Sequence, residues 1–172
     1  IRYPAGLAMA YAPGYFVGYV ISNLVGVDHE YGFNLIFKKS VFYWSFLVTL
    51  IGIYFLFQFI RFYYNDFIST ITVGLIVIGT NYFFHSMMHG HGLMSHNYLF
   101  TAYSILLYAT HQYYLKHSYK YLMLIFLVCA LIATIRNSEL FCFLIPLLYG
   151  INSWSGIWIN IKGLFEKPLK LM

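Results

Sequence analysis

Long stretches without charged residues divide the chain into apolar segments. A helix needs about 20 apolar residues to cross the hydrocarbon core of a bilayer. Ser40–Ile60 satisfies this, and Phe67–Leu115, which contains no Asp, Glu, Lys or Arg, is long enough for two spans separated by the polar segment Ser86–Asn97. Shorter apolar runs follow at Tyr121–Ile135 and Leu140–Ile151. The pattern predicts an all-α, polytopic membrane helical bundle with about five transmembrane helices within residues 40–151.

The first apolar segment, residues 3–26, contains features that argue against a simple span. Pro13 lies in its middle and is expected to kink or break a helix. Gly14 and Gly18 form a pair of small residues that permits close helix packing. We expect an interfacial or re-entrant kinked helix here, with a membrane crossing as the alternative. Residues 152–172 are interpreted as an aromatic and basic segment on the cytoplasmic side.

Composition excludes several classes of protein. The chain has 172 residues, of which 61% are hydrophobic and 9% charged, whereas soluble domains contain about 25% charged residues. A soluble enzyme and a nucleic-acid binder are therefore excluded, and membrane lipids are the first expected partner. Cys129 and Cys142 lie in apolar runs and are interpreted as buried small hydrophobic residues. We expect residues 1–172 to form a single transmembrane domain that is a fragment of a longer chain.

The distribution of Lys and Arg orients the predicted spans. Cytoplasmic loops of membrane proteins are enriched in these residues. If Ser40–Ile60 runs from outside to inside, the inner loops hold six of the ten basic residues, namely Arg61, Lys116, Lys120, Lys162, Lys167 and Lys170. Lys38, Lys39 and Arg136 then lie on the outer side, where the rule does not account for them.

The segment 85–96 contains four of the seven histidines, His85, His89, His91 and His96. Imidazole binds metals and titrates near neutral pH, so His89 and His91 are candidate metal ligands. A second interpretation is that His85 and His96 contact a phosphate or hydroxyl group of a substrate. A third is a polar loop at a membrane surface. A membrane di-iron enzyme would also require an adjacent His-His pair, which the sequence lacks.

Arg136, Lys38 and Lys39 are candidate ligands for a phosphate group. Arg136 lies between two short predicted spans, and a charge at membrane depth indicates a functional site by default. The alternative is an ion pair between Arg136 and Glu139, which are three residues apart. Lys38 and Lys39 precede the first span and could hold phosphate, although solvated loop charges are the more frequent explanation.

Several short motifs occur in an order that resembles a known family. They are Tyr3-Pro4-Ala5-Gly6, Gly79-Thr80-Asn81, Gly92-Leu93-Met94-Ser95-His96 and Ile135-Arg136-Asn137. Together they resemble the integral-membrane glycosyltransferases of the C superfold. In particular, they resemble bacterial relatives of the protein mannosyltransferases and of the lipid A aminoarabinose transferase. Ala5 stands where that family usually has proline.

The resemblance implies a multi-pass enzyme of the bacterial inner membrane. Such an enzyme transfers a sugar from a polyprenyl-phosphate-linked donor to a lipid, glycan or protein acceptor at the outer face. The acidic catalytic residue of the family would lie upstream of Ile1, and a divalent metal is the cofactor to consider. Two alternatives come from other classes: a non-enzymatic transporter or flippase-like subunit, and a His-ligated membrane metalloenzyme.

Overall fold

The computed structural model describes residues 5–26, 35–80, 82, 95–151 and 158. All regular structure in these residues is helical, which confirms the all-α prediction. The elements are α1 (Ala5–Val25), α2 (Leu35–Ile60), α3 (Asp66–Gly79), α4 (Ser95–Lys116), α5 (Tyr119–Ile135), a 3-10 helix (Asn137–Phe143) and α6 (Leu144–Leu148).

Helices α2 and α4 pack side by side and run in the same direction. Near their beginnings the Asn97 amide donates to the Ser45 hydroxyl at 3.5 Å. Further along, the Thr101 hydroxyl donates to the Val48 carbonyl at 2.8 Å. Polar contacts of this kind help to fix the register of two helices, because hydrogen bonds form only over a narrow range of distances.

Helix α5 returns alongside α4 and gives the bundle two distinct ends. The turn between them is tight, and His117 adopts a left-handed backbone with φ of 48°. The name His96 end is used for the end of the bundle at which α2 and α4 begin and at which α5 ends. The opposite end, where α2 and α4 finish and α5 begins, is the His111 end.

Helix α1 is continuous through Pro13 and packs against α2 in the antiparallel direction. Proline lacks an N–H group and disturbs the hydrogen bonds of the preceding turn. The Trp44 indole donates to the Ala10 carbonyl at 2.9 Å, which supplies a donor beside this disturbance. Pro13 therefore does not end the helix, and the interfacial position of residues 3–26 stays a prediction.

The segment after α5 differs from the single span predicted for Leu140–Ile151. It consists of the 3-10 helix Asn137–Phe143 followed by the short α6. Pro146 explains the interruption, because it cannot donate to the carbonyl of Cys142 and its ring clashes with that turn. The Tyr114 hydroxyl of α4 donates to the Pro146 carbonyl at 2.8 Å and fixes the segment against the bundle.

Small side chains lie where helices meet, and large apolar side chains lie outside. The buried residues of α1 are Gly6, Gly14, Gly18 and Ser22, and the buried residues of α2 include Ser45, Thr49 and Gly52. By contrast, Phe16 and Leu75 are about two-thirds exposed. A larger apolar cluster is centred on α4 and α5, around Leu106, Ile125 and Ile132, and partly buried residues of α1 and α2 such as Tyr11 and Trp44 pack against it.

Among the described residues, α2 is the one helix that is both long and apolar enough to cross a membrane. Helices α3 and α5 are apolar but shorter. Helix α4 has 22 residues, but many of those it buries are polar, including Asn97, Thr101, Ser104, Thr110 and Gln112. The all-helical architecture is therefore established, and a polytopic arrangement in a membrane is argued below as a proposal.

Candidate functional site

Arg136 lies directly after α5 and forms the ion pair that its spacing from Glu139 predicts. Its Nη1 atom is 3.9 Å from Oε1 of Glu139, and both side chains are partly exposed, by 44% and 30%. The 3-10 helix that begins at Asn137 turns Glu139 back toward Arg136. The pair is therefore present, but its separation exceeds the length of a hydrogen bond.

Glu139 is held more firmly by a second residue. The Tyr103 hydroxyl of α4 donates to Oε2 of Glu139 at 2.6 Å. This is a short, charge-assisted hydrogen bond, and bonds of this type are about twice as strong as those between neutral groups. One carboxylate oxygen is thus bound to α4, while the other faces the guanidinium group.

The Arg136 guanidinium retains capacity for another anion. It carries five N–H donors in a planar fork that matches phosphate and carboxylate groups. Its one contact with a side chain of the described residues is the ion pair with Glu139 at 3.9 Å. Because Glu139 is also held by Tyr103, the carboxylate keeps a hydrogen-bond partner when Arg136 approaches a phosphate. We call Tyr103, Arg136 and Glu139 the Arg136 cluster.

The other described candidates lie at the same end of the bundle but at different heights. His96 is exposed in the first turn of α4, and Lys38 and Lys39 are exposed in the first turn of α2. Lys38 precedes Ser45 by seven residues, which places it about 10 Å further along the helix axis. Arg136 lies in the opposite direction, near the height of Tyr103. The structure thus places Lys38 and Arg136 at well-separated heights along the bundle, with His96 between them.

The remaining candidates lie outside the described residues. These are His85, His89 and His91, so the metal prediction stays a prediction. Within the part of the chain that the structure describes, there is no group of three His, Cys, Asp or Glu residues that could hold a metal ion.

Sequence reasoning did not identify Tyr103, and it treated Glu139 only as a pairing partner. Tyr103 is one of 18 tyrosines, and no spacing rule connects it to a carboxylate 36 positions later. A signal existed for Glu139, because a carboxylate beside an arginine between two apolar runs is rare in this chain.

A second cluster, also missed, lies at the His111 end. His111 Nδ1 is 2.5 Å from the Tyr149 hydroxyl, which is 2.5 Å from the Tyr63 hydroxyl. The Phe62 ring stacks on the imidazole with the ring centres 4.1 Å apart. These contacts join the turn after α2, helix α4 and the residue after α6. Because each hydroxyl already has a polar partner, we interpret this cluster as a structural connection.

The hydrogen bond from Tyr103 can be tested by removing one oxygen atom. Tyr103→Phe is expected to lower the free energy of unfolding by about 2 kcal/mol, because hydrogen bonds to charged groups contribute about 1.5–3 kcal/mol. The measurement is thermal or denaturant unfolding of the purified protein. Tyr64→Phe is the matched control, since Tyr64 is exposed. Equal effects of the two substitutions would contradict the assigned role of Tyr103.

No protein-family model matches the chain, and no curated protein or solved structure is detectably similar to it.

Proposed function

We propose that the chain belongs to a polytopic membrane enzyme that transfers a sugar from a polyprenyl-phosphate-linked donor to a lipid, glycan or protein acceptor. Transfer takes place at the outer face of the bacterial inner membrane, which corresponds to the His96 end of the bundle. The order of the sequence motifs supports this reaction class. The Arg136 cluster is the observation that carries the proposal.

The packing of the bundle supports its placement in a bilayer. In water, helices bury large apolar side chains, because removing apolar surface from water drives folding. In lipid, burying an apolar side chain between helices removes no surface from water. Membrane helices therefore associate through small residues and polar contacts. Helices α1 and α2 follow the second pattern, with buried Gly14, Gly18 and Thr49 and exposed large apolar side chains.

Arg136 is suited to stabilise the phosphate that leaves when the sugar is transferred from its donor. As the bond between the sugar and the phosphate breaks, negative charge accumulates on the phosphate oxygens. A fixed cation at this position stabilises the transition state more than the ground state. Glu139, held by Tyr103, limits the orientations of the guanidinium and so positions it for the phosphate. The acceptor hydroxyl must lose a proton to a base, and in the family that the sequence resembles an acidic residue has this role.

The proposal is tested with the intact protein in its native membrane. Membrane vesicles with and without the protein receive a set of polyprenyl-phosphate sugars that carry a radiolabel in the sugar. We expect label to move from the donor to an acceptor only in vesicles that contain the protein. If the labelled donor instead crosses the bilayer unchanged, the protein is a flippase-like transporter and the proposed reaction is wrong.

A further inference from the structure

Two buried cysteines approach each other beside the Arg136 cluster. Cys129 lies in α5 and is fully buried, and Cys142 lies in the 3-10 helix and is 2% exposed. The Cys142 thiol donates to the main-chain carbonyl of Cys129 at 3.8 Å. The Cys142 sulfur therefore lies next to the main chain of Cys129, and a disulfide requires the two cysteines to be close neighbours.

The segment between these cysteines carries Arg136 and Glu139. Cys129 and Cys142 are 13 positions apart, so a bond between them would close a loop around the ion pair. A covalent bond here would therefore fix the 3-10 helix to α5 directly beneath the candidate site.

The 3-10 helix offers a route for an oxidant to reach Cys142. Helices of this type have poorer hydrogen-bond geometry than α-helices. Leu140 and Phe141, which precede Cys142, are 59% and 77% exposed. Cys142 therefore lies in the segment with the more exposed neighbours, whereas Cys129 lies within α5.

We propose that Cys129 and Cys142 form a reversible intramolecular disulfide by exchange with an oxidant of the disulfide class. The Cys142 thiolate attacks one sulfur of the oxidant, whose second sulfur leaves and takes up a proton as a thiol. The Cys129 thiolate then attacks the Cys142 sulfur and releases the second thiol. The protein loses two protons and two electrons, and the oxidant gains them. The inference does not depend on the proposed sugar transfer.

The test uses the full chain in detergent and the apolar oxidant 2,2′-dithiodipyridine. We expect two thiopyridone molecules to be released per chain, together with a protein that is lighter by two hydrogen atoms. After oxidation and denaturation, the protein should contain no thiol that a maleimide can alkylate. Treatment with dithiothreitol should restore both thiols. A protein that gains a pyridyl group on each cysteine, or one that keeps both thiols, would overturn the proposal.

Single substitutions separate an intramolecular bond from other products. Cys129→Ser should stop the reaction at the mixed disulfide, so the chain retains one pyridyl group on Cys142. Cys142→Ser should react far more slowly, because Cys129 lies within α5. Disulfide-linked dimers of the unsubstituted protein, seen by electrophoresis without reductant, would show that the thiols pair between chains and would also refute the inference.

Discussion

Replacing Arg136 by alanine is expected to reduce sugar transfer by about 100-fold, a loss typical of removing one fixed group that stabilises charge in the transition state. Insertion into the membrane should be unchanged, because Arg136 follows α5 and is partly exposed. The measurement is the initial rate of label transfer from the lipid-linked donor, at equal amounts of membrane-embedded protein. Arg136→Lys should recover part of the rate, since lysine keeps the charge but loses the planar fork.

Lys120→Ala provides the control for this experiment. Lys120 is also exposed and basic, but it lies at the His111 end. Its removal should leave the rate unchanged. If Arg136→Ala transferred sugar as fast as the unsubstituted protein, Arg136 would not contact the donor phosphate. Equal losses in Arg136→Ala and Lys120→Ala would point to a general effect of charge on insertion.

The second large effect is expected where α2 and α4 approach most closely. A Cβ atom added to Gly52 would collide with the Thr101 hydroxyl and lie 2.9 Å from the Thr101 Cα atom. Leucine at this position must push the helices apart and break the hydrogen bond from Thr101 to the Val48 carbonyl. Overpacking costs about 1–3 kcal/mol and the lost hydrogen bond about 1 kcal/mol. We expect Gly52→Leu to lower the free energy of unfolding by about 3 kcal/mol.

Gly74→Leu is a matched substitution in the neighbouring helix. Among the described residues, no atom beyond the adjacent backbone of α3 lies within 4 Å of a Cβ added to Gly74, and leucine has a higher helix propensity than glycine. This variant should be as stable as the unsubstituted protein or slightly more stable. Unfolding midpoints in detergent compare the two variants. A Gly52→Leu protein as stable as Gly74→Leu would show that α2 and α4 do not pack as described.

The sequence alone predicted the helical class, because charge-free runs of about 20 residues are typical of helices that cross a membrane. It placed the end of α2 correctly at Ile60, because Arg61 closes the apolar run. It placed the start at Ser40, five residues after the observed start at Leu35. It did not predict the 3-10 helix, because a single Pro146 within an apolar run is compatible with a kinked span. The structure shows two short helices there instead.

The candidate site was predicted only in part, because some of its contacts are local in the sequence and others depend on tertiary packing. The Arg136–Glu139 pair follows from local spacing, so sequence reasoning found it. The contact between Tyr103 and Glu139 depends on how α4 packs against the segment after α5. The same is true of His111, Tyr63 and Tyr149, which the fold gathers from three segments. Contacts of this kind depend on tertiary packing, about which hydrophobic periodicity gives no information.

The most direct test of the account determines on which side of the membrane each end of the bundle lies. In a Cys129→Ser, Cys142→Ser background, single cysteines are introduced as Ser138→Cys at the His96 end and Tyr119→Cys at the His111 end. Both positions are exposed. Intact cells are treated with a membrane-impermeant maleimide. We predict that Ser138→Cys is labelled directly and that Tyr119→Cys is labelled only after permeabilisation. Labelling of both cysteines from the same side would contradict a bundle that spans the membrane with Arg136 at its outer face.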